Sequence, residues 1–345
     1  MTQDRPINLV TGALGFVGLH LTRSLLLAGL DVIGLGKHDQ GLALPQSIGE
    51  FQQIAGDPGF DGSVRYQGPA GTFTYLALDL EQAAPILDLV NHAKPVMIYH
   101  LAAQSSAAYS FQHPEETFRS NVLGTLNLLE AVRALPATEH PVILSVGSCE
   151  EYGPQEPSAY PLTEDTPLNP QSPYAVSKVS QTLLCRQYVR AWNLPIIAVR
   201  SFSHTGPGQD SRFVFPSFAR QIAAAEAGKG PSEILTGDIS VVRDFLHVKD
   251  VVEAYRLLMK EGYPGEIYNV SSGQSVTIQY GLETMISLAS CAITVRKDPN
   301  LVRPADTPMM IGDNSKLCRE TGWQPEWDLT TTLGSLLDEA RREYS

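Results

Sequence analysis

The sequence has little cysteine, and its four cysteines lie far apart. Cys149, Cys185, Cys291 and Cys318 form no CxxC pair, which argues against a zinc site and against a disulfide framework. We therefore expect no metal and a reducing compartment.

Basic residues are also in deficit. Lys and Arg total 25 against 37 Asp and Glu, a formal net charge of -12, so the protein repels polyanions and nucleic acid is not an expected partner. No apolar run approaches membrane-spanning length, and the start MTQDRPINLVTG lacks the pattern of a signal peptide. We expect a cytoplasmic protein without a membrane partner, in which local donors meet any bound phosphate.

The composition, with 43% hydrophobic and 18% charged residues, is that of an ordinary globular protein. Apolar runs that predict buried strands alternate with helical patterns, which indicates an α/β fold with a parallel, doubly wound sheet. The predicted strands are 7–10, 31–35, 74–79, 95–100, 142–145 and 196–200, with a helix over 115–135. Segment 40–73, rich in Gly, Pro, Gln and Asp, is predicted to be a partly ordered insertion.

A glycine-rich turn, TGALGFVG, follows the first strand and opens a helix. Gly12 permits the tight turn, Gly15 lets the backbone approach a pyrophosphate, and Gly18 lets helix and strand pack closely. The helix N-terminus then offers amides to phosphates. This predicts a dinucleotide site; a purely structural turn is the alternative.

The end of the second strand bears on the choice of cofactor. An NAD site normally has an acidic residue there, but this chain has Gly36 and Lys37. Lys37 suits a 2′-phosphate, which favours NADP(H) and leaves NAD(H) open. A solvated surface lysine is the competing interpretation.

Other cofactor candidates follow the third and fourth strands. Asp79 and Leu80 end the third strand, where a carboxylate reaches an adenine amino group or merely makes a turn. Small and apolar residues after the fourth strand let a cofactor lie against the backbone: Leu101, Ala102 and Ala103. Asn121, polar within an apolar helix, predicts either a buried structural hydrogen bond or a catalytic water relay.

Tyr174 and Lys178 form a YxxxK pair, whose spacing puts both side chains on one helix face. A phenol with a pKa of about 10 is a poor acid or base at neutral pH, and a neighbouring ammonium brings that pKa toward the working range. Pro173 indicates that the helix starts there. Ser148, after the preceding strand, is placed to hydrogen-bond a substrate oxygen; a simple turn residue is the alternative.

The motifs TGALGFVG, HLAAQSS, NVLGT, GSCEEYG and YAVSK together resemble the extended short-chain dehydrogenase/reductases. The resemblance implies a Rossmann dinucleotide-binding domain over 1–200, with about 241–270 returning to it, and a smaller α/β substrate-binding domain in 201–345. It implies that Ser148, Tyr174 and Lys178 are catalytic, and that Phe16 and Val17 join the glycines in holding the cofactor.

Within that superfamily the chain is most similar to the branch of the GDP-mannose 4,6-dehydratases and GDP-4-keto-6-deoxy-D-mannose reductases. The dehydratases typically begin TGxxGxDG, whereas this chain has Phe16, Val17 and Gly18, and its SHTGPGQ segment resembles the reductases. Glu150 points the other way, because it matches the glutamate that removes the C5 proton in dehydratases. The resemblance implies a reductase that uses NAD(P)H to reduce the C4 ketone of a 4-keto-6-deoxysugar, with GDP-4-keto-6-deoxy-D-mannose as the expected substrate.

The resemblance also implies a nucleotide-diphosphate sugar as the partner and a homodimer or homotetramer. Arg243 and Arg303, with Arg220 as a third candidate, match positions that clamp the diphosphate; surface ion pairs with Asp244 or Asp306 are the alternative. Ser203 stands where the family usually has asparagine. The substrate-binding candidates are Gln104, Ser105, Ser203, Arg220, Arg243, Arg303 and Asp306.

Two other functions stay open at this point. A nucleotide-sugar 4,6-dehydratase or 4-epimerase would recycle its cofactor instead of consuming it. A cofactor-sensing regulator would keep the fold without the chemistry, but the intact Ser148, Tyr174 and Lys178 argue against it.

Overall fold

The computed structural model describes residues 5–37, 51–56, 59–60, 62–301 and 307–344. The strands are β1 Ile7–Thr11, β2 Asp31–Gly36, β3 Gln52–Ile54, β4 Val64–Gln67, β5 Thr72–Ala77, β6 Met97–His100, β7 Val142–Val146, β8 Ile196–Ser201, β9 Ser203–Thr205, β10 Glu233–Thr236, β11 Val242–Arg243, β12 Phe245–His247, β13 Ile267–Val270, β14 Val276–Thr277, β15 Thr294–Lys297 and β16 Met309–Met310. The α-helices are α1 Phe16–Leu27, α2 Ala83–Ala93, α3 Ala107–Gln112, α4 Pro114–Phe118, α5 Gly124–Arg133, α6 Pro173–Trp192, α7 Val214–Glu226, α8 Val248–Glu261, α9 Ile278–Ser287, α10 Ser315–Thr321 and α11 Leu329–Tyr344.

A nine-stranded sheet has the order β13-β8-β7-β6-β1-β2-β5-β4-β3. β1 pairs in parallel with both β2 and β6, and parallel pairing continues to β7 and β8 on one side and to β5 on the other. The six predicted strands are all present, which confirms the doubly wound Rossmann fold. Because the strand order reverses between β1 and β6, a ligand crevice is expected at their carboxyl ends.

The parallel strands read as continuous apolar runs because both faces of the sheet are covered. Five adjacent parallel strands, β8, β7, β6, β1 and β2, each place at least one aliphatic side chain in the same buried cluster, with at most 5% of it exposed: Leu9, Ile33, Ile98, Ile143 and Ile196. This core fixes the strand ends from which the site loops emerge.

Segment 40–73, predicted to be a partly ordered insertion, contains β3, β4 and the first residues of β5. β4 pairs antiparallel with β5, and β3 pairs antiparallel with β4, so the segment extends the edge of the sheet. Its residues 40–50, 57–58 and 61 lie outside the described residues. β5 also ends two residues before the predicted bound, because Asp79 turns the chain by accepting a hydrogen bond from the Glu81 amide at 3.0 Å.

The helix predicted over 115–135 is interrupted. α4 is followed by a π-helical turn, Arg119–Leu123, before α5 continues to Arg133. π-Helical turns inside α-helices are rare and are frequent at functional sites, and this one contains Asn121. After residue 200 the sequence pattern also predicts helices over 251–259, 281–289 and 329–342, and these are present as α8, α9 and α11 with slightly different bounds.

The chain divides into two compact units. The first comprises Met1–Glu151, Pro170–Arg200 and Val252–Tyr268, and the second comprises Tyr152–Asn169, Ser201–Val251 and Asn269–Ser345. These bounds differ from the predicted division at 152–169, and the returning segment is shorter than 241–270. The second unit has its own core, formed by α7, α9 and α11; its binding of substrate stays a prediction. Within the described ranges, no helix is both long and apolar enough to cross a membrane.

Candidate active site

The glycine turn joins β1 to α1. Gly12 has φ +71°, and a Cβ there would lie 2.9 Å from the amide nitrogen of Ala102; a Cβ on Gly18 would overlap the carbonyl oxygen of Gly12. Gly15 is the N-cap, and among the described residues no side chain caps this helix, which begins with Phe16 and Val17. The turn therefore has the tight glycine backbone and the helix N-terminus that suit the pyrophosphate of a dinucleotide, and its contact with a cofactor stays a prediction.

Lys37 follows β2 directly and is ion-paired. Its Nζ lies 2.7 Å from Oε1 of Glu81 and 3.4 Å from Oδ2 of Asp79, and Glu81 also accepts from Nε of Arg119 at 2.9 Å. Burial opposes the charge of Lys37, but the hydrogen bond to Glu81 and the nearby carboxylates raise its pKa above the usual value. Lys37 is thus a paired cation beside two carboxylates, and its contact with a 2′-phosphate stays a prediction.

The other cofactor candidates lie near the ends of β5 and β6. Asp79 makes the turn already described, and Leu80 is buried after it. The amide of Ala102 donates to Oγ1 of Thr11 at 3.1 Å and so lies against the glycine turn. Leu101 and Ala103 flank it, and all three side chains are half-buried.

Asn121 is fully buried in the π-helical turn. Its Oδ1 accepts from the Gln104 amide at 2.7 Å, and its Nδ2 donates to the Gln104 carbonyl at 3.1 Å and to Oγ of Ser177 at 2.9 Å. These contacts match the alternative in which Asn121 makes buried structural hydrogen bonds. They connect the loop after β6 to α6. The Gln104 side chain closes on the backbone of Ser106, and Ser105 is exposed.

Ser148, Tyr174 and Lys178 are all buried. α6 begins at Pro173, as predicted, with Ser172 as the N-cap, so Tyr174 lies in its first turn and Lys178 one turn later. The Ser148 side chain lies close enough to the Tyr174 phenol to lower its pKa. The structure thus brings the serine after β7 near the tyrosine of α6.

Lys178 is anchored to the end of β7. Its Nζ donates to the Val146 carbonyl at 2.8 Å and to Oε1 of Gln181 at 3.0 Å, and Gln181 in turn donates to Oγ of Ser145 at 2.9 Å. Burial lowers the pKa of Lys178 to about 8, while the charge of Glu151 opposes that change. The ammonium is therefore oriented by acceptors that the sequence pattern did not indicate.

The electrostatics of Tyr174 differ from the expectation. Burial raises its pKa well above the ordinary value, the charge of Glu150 raises it further, and the Ser148 side chain opposes both. In this structure burial therefore outweighs any lowering of this pKa by Lys178, whose ammonium donates to Val146 and Gln181. The phenol keeps its proton at neutral pH.

Sequence reasoning missed a buried ion pair behind Ser148. Nε of Arg200 lies 3.1 Å from Oε2 of Glu151, and Oε1 of Glu151 accepts from the Ser148 amide at 3.0 Å. One signal was present: Arg200 ends an otherwise apolar strand, and a charge in a buried strand needs a buried partner.

Residues 9–335 match the family model described as GDP-mannose 4,6 dehydratase. The chain belongs to this family. A GDP-6-deoxy-D-mannose reductase of Pseudomonas aeruginosa is 36% identical over 245 residues, 71% of this chain and 80% of the relative. A GDP-mannose 4,6-dehydratase of Sinorhizobium fredii is 28% identical over 99% of this chain and 97% of its own length.

The structure of RMD from Pseudomonas aeruginosa complexed with NADPH superimposes with a TM-score of 0.79. The two chains are 31% identical, and the match covers 98% of this chain and 99% of that one. This chain therefore resembles both a relative named as a reductase and a relative named as a dehydratase.

In this member of the GDP-mannose 4,6 dehydratase family, the described substrate candidates after residue 200 are Ser203, Arg220 and Arg243, and they lie in the second unit. Ser203 begins β9 and is half-buried. Arg220 is exposed on α7, with Nη1 3.4 Å from Oγ of Ser211 and Nε 3.8 Å from Glu343. Arg303 and Asp306 lie outside the described residues.

Arg243 occupies the short strand β11, with its Nη1 donating to the Val242 carbonyl at 2.9 Å. The carboxylate of Asp244, the sequence-predicted ion-pair partner, accepts instead from the amides of Ser272 at 2.7 Å and Gly273 at 3.0 Å. Asp244 therefore organises backbone, and the role of Arg243 in binding a diphosphate stays a prediction for this GDP-mannose 4,6 dehydratase family member.

Proposed function

We propose that this protein reduces the C4 ketone of a nucleotide-activated 4-keto-6-deoxysugar, with GDP-4-keto-6-deoxy-D-mannose as substrate and NADP(H) as preferred cofactor over NAD(H). The observation that carries the proposal is the buried Tyr174 phenol in the first turn of α6, with Ser148 acting on it and Lys178 one turn later on the same helix. A phenol that holds its proton is ready to donate it to a developing alkoxide, which is the need of a reduction. Oxidation at C4 needs the opposite, a phenolate that accepts a proton.

In this mechanism the bound nicotinamide supplies the hydride that reaches C4. The Ser148 hydroxyl donates a hydrogen bond to the ketone oxygen, and Tyr174 gives that oxygen its proton, so the ketone becomes an alcohol. Lys178, held by Val146 and Gln181, would hold the cofactor ribose and stabilise the phenolate that Tyr174 leaves. Water regenerates the phenol.

One comparison favours the reductase, and a second supports a nicotinamide cofactor. The reductase relative is 36% identical, and the solved RMD structure, 31% identical over nearly all of this chain, contains NADPH. Arg243 and Arg303 are proposed to bind the substrate diphosphate, because guanidinium groups form paired hydrogen bonds with phosphate oxygens.

The proposal is tested by incubating the protein with GDP-4-keto-6-deoxy-D-mannose and NADPH, then with NADH. Absorbance should show one cofactor oxidised for each ketosugar consumed, product mass should rise by two hydrogens, and GDP-mannose should be untouched. Conversion of GDP-mannose without net NADPH oxidation would refute the reductase assignment.

A GDP-mannose 4,6-dehydratase is the second candidate, and Glu150 favours it. Its charge acts on Tyr174, so it lies near the phenol, where a base for the C5 proton would be needed. Dehydration would convert GDP-mannose to its 4-keto-6-deoxy product with no net change in cofactor. Glu150→Gln should abolish that reaction, whereas it should leave a reductase active.

The remaining proposals are independent of the reaction. A homodimer or homotetramer is checked by light scattering of the purified protein, and a cytoplasmic location by fractionation of cells that express it.

Binding of cofactor without turnover of any 4-ketosugar, GDP-mannose or other nucleotide sugar would favour the cofactor-sensing regulator.

A further inference from the structure

The ion pair between Glu151 and Arg200 has no part in the proposed chemistry. Glu151 is fully buried, the Arg200 side chain is 4% exposed, and 3.1 Å separates Nε of Arg200 from Oε2 of Glu151. Removing two charges from water costs free energy that their attraction often fails to restore, so a buried pair is weak evidence for a role in stability. Its contacts indicate another use.

Glu151 connects three segments of the first unit. Its Oε1 accepts from the Ser148 amide at 3.0 Å, Oγ1 of Thr182 donates to its two oxygens at 3.2 and 3.1 Å, and Arg200 comes from the end of β8. Thr182 lies one helical turn after Lys178 on α6. Glu151 therefore fixes the turn that carries Ser148 against the helix that carries Tyr174 and Lys178.

Gly147 leaves the space that this carboxylate occupies. A Cβ at residue 147 would overlap the Glu151 carboxylate and lie 2.8 Å from the Val199 carbonyl oxygen. Gly147 therefore leaves room for the side chain of Glu151, which lies three residues after Ser148.

Glu151 also acts on the charge of Lys178. Burial disfavours the ammonium, and the Glu151 carboxylate favours it. Burial also raises the pKa of Glu151 itself, and the charge of Arg200 with the hydrogen bonds from Ser148, Arg200 and Thr182 oppose that change and favour the carboxylate. The other titratable neighbours are His100 of β6 and Cys185 of α6; burial lowers the pKa of His100 to about 3 and raises that of Cys185 to about 11, so neither is charged near neutral pH.

The charges that face Tyr174 come from the turn after β7. Glu150, Cys149 and Glu151 all act on the phenol, and Glu150 has the largest effect of the three. The negative charge of Glu151 therefore bears on both members of the YxxxK pair.

We propose that Glu151, itself held by Arg200, is a positioning residue that fixes the Ser148 turn and supplies the negative charge that keeps Lys178 protonated. The expected changes in kcat and KM rest on the proposed reductase function. The expected effect of Glu151 on the pKa of Lys178 does not.

The test is Glu151→Gln, which keeps an acceptor for the Ser148 amide and removes the charge. Titration of 13C-labelled lysine by NMR, with Lys178 assigned through Lys178→Met, should show its pKa lowered by roughly one unit or more, since an opposite charge nearby is worth that much. In the reduction assay, kcat should fall with KM unchanged, and the alkaline limb of kcat should move to lower pH because the ammonium is lost earlier.

Glu226→Gln is the matched control. Glu226 is 8% exposed and makes two hydrogen bonds of 2.8 Å with Arg341 in the second unit, so the same substitution breaks an ion pair away from Ser148. It should lower the Tm and leave the Lys178 pKa and kcat unchanged. If Glu151→Gln also lowers only the Tm, or lowers kcat with the Lys178 pKa unshifted, the proposal is wrong.

Should Glu151→Gln fail to fold, the double variant Glu151→Met with Arg200→Met replaces the pair by apolar side chains, a change that proteins often tolerate. A wild-type Lys178 pKa and a wild-type kcat in that variant would overturn the proposal. If the wild-type enzyme reduces no ketosugar, the reductase function fails, but the NMR titration still decides the role of Glu151.

Discussion

The ammonium of Lys37 lies 2.7 Å from a carboxylate oxygen of Glu81, although 44 residues separate them in the chain. Glu81 also binds Arg119, so two cations meet one carboxylate beside the residue that follows β2. In folds of this kind a dinucleotide cofactor presents its ribose at the end of that strand. A 2′-phosphate at this position would compete with Glu81 for both cations.

Lys37→Ala is expected to weaken binding of 2′,5′-ADP roughly tenfold or more, because a charge-assisted hydrogen bond is lost, and to leave 5′-AMP binding unchanged. Glu81→Gln should strengthen 2′,5′-ADP binding, since it releases Lys37 and Arg119. Isothermal titration calorimetry measures both. A strong NADH preference that Lys37→Ala does not alter would contradict the NADP assignment.

Tyr174→Phe is expected to lower turnover roughly a hundredfold or more while the cofactor still binds, because the phenol acts only on the developing alkoxide. Steady-state kinetics measure the turnover, and cofactor fluorescence measures cofactor binding. Tyr188→Phe on the same helix, whose hydroxyl bonds Glu130, is the control and should keep wild-type turnover. Equal turnover in both variants would exclude Tyr174 as the proton donor.

Arg243→Ala should weaken substrate binding by roughly 1.5–3 kcal/mol, the scale of a hydrogen bond to a charged group, without changing cofactor affinity. Arg319→Ala, which removes an exposed arginine paired with Glu320 in the same unit, is the matched control. Unchanged substrate affinity in the Arg243 variant would remove it from the proposed diphosphate site.

Turnover is expected to fall above a pH of about 8. Burial lowers the pKa of Lys178 to about 8, so the ammonium is present below that pH and is lost above it, and with it goes the stabilisation of the Tyr174 phenolate. A kcat profile recorded between pH 6 and 10 measures the limb. Lys178→Met should be slow throughout and lack it; a wild-type profile flat across this range would exclude control by Lys178.

The sequence determined the parts of this protein that depend on neighbours in the chain. Continuous apolar runs fixed the parallel strands because both faces of each are buried, and the spacing of Gly12, Gly15 and Gly18 fixed the turn from β1 to α1. Four-residue spacing placed Tyr174 and Lys178 on one helix face. Short motifs such as TGALGFVG, GSCEEYG and YAVSK also indicated the family whose model residues 9–335 match.

Features that need partners distant in sequence could be read only from the tertiary structure. Arg200 and Glu151 lie 49 residues apart, and Asn121 and Ser177 lie 56 apart, so no local periodicity indicates either contact. The β3 and β4 strands were missed because strands at or next to an exposed edge of the sheet need no continuous apolar run.

The charge states of the site were decided in the same way. The sequence could supply a lysine near a tyrosine, but a pKa depends on burial and on every nearby charge and hydrogen bond. Burial raises the pKa of Tyr174, and the Lys178 ammonium donates to acceptors on Val146 and Gln181. Local spacing therefore determined which residues share a helix face, whereas the folded environment decided which of them holds a proton.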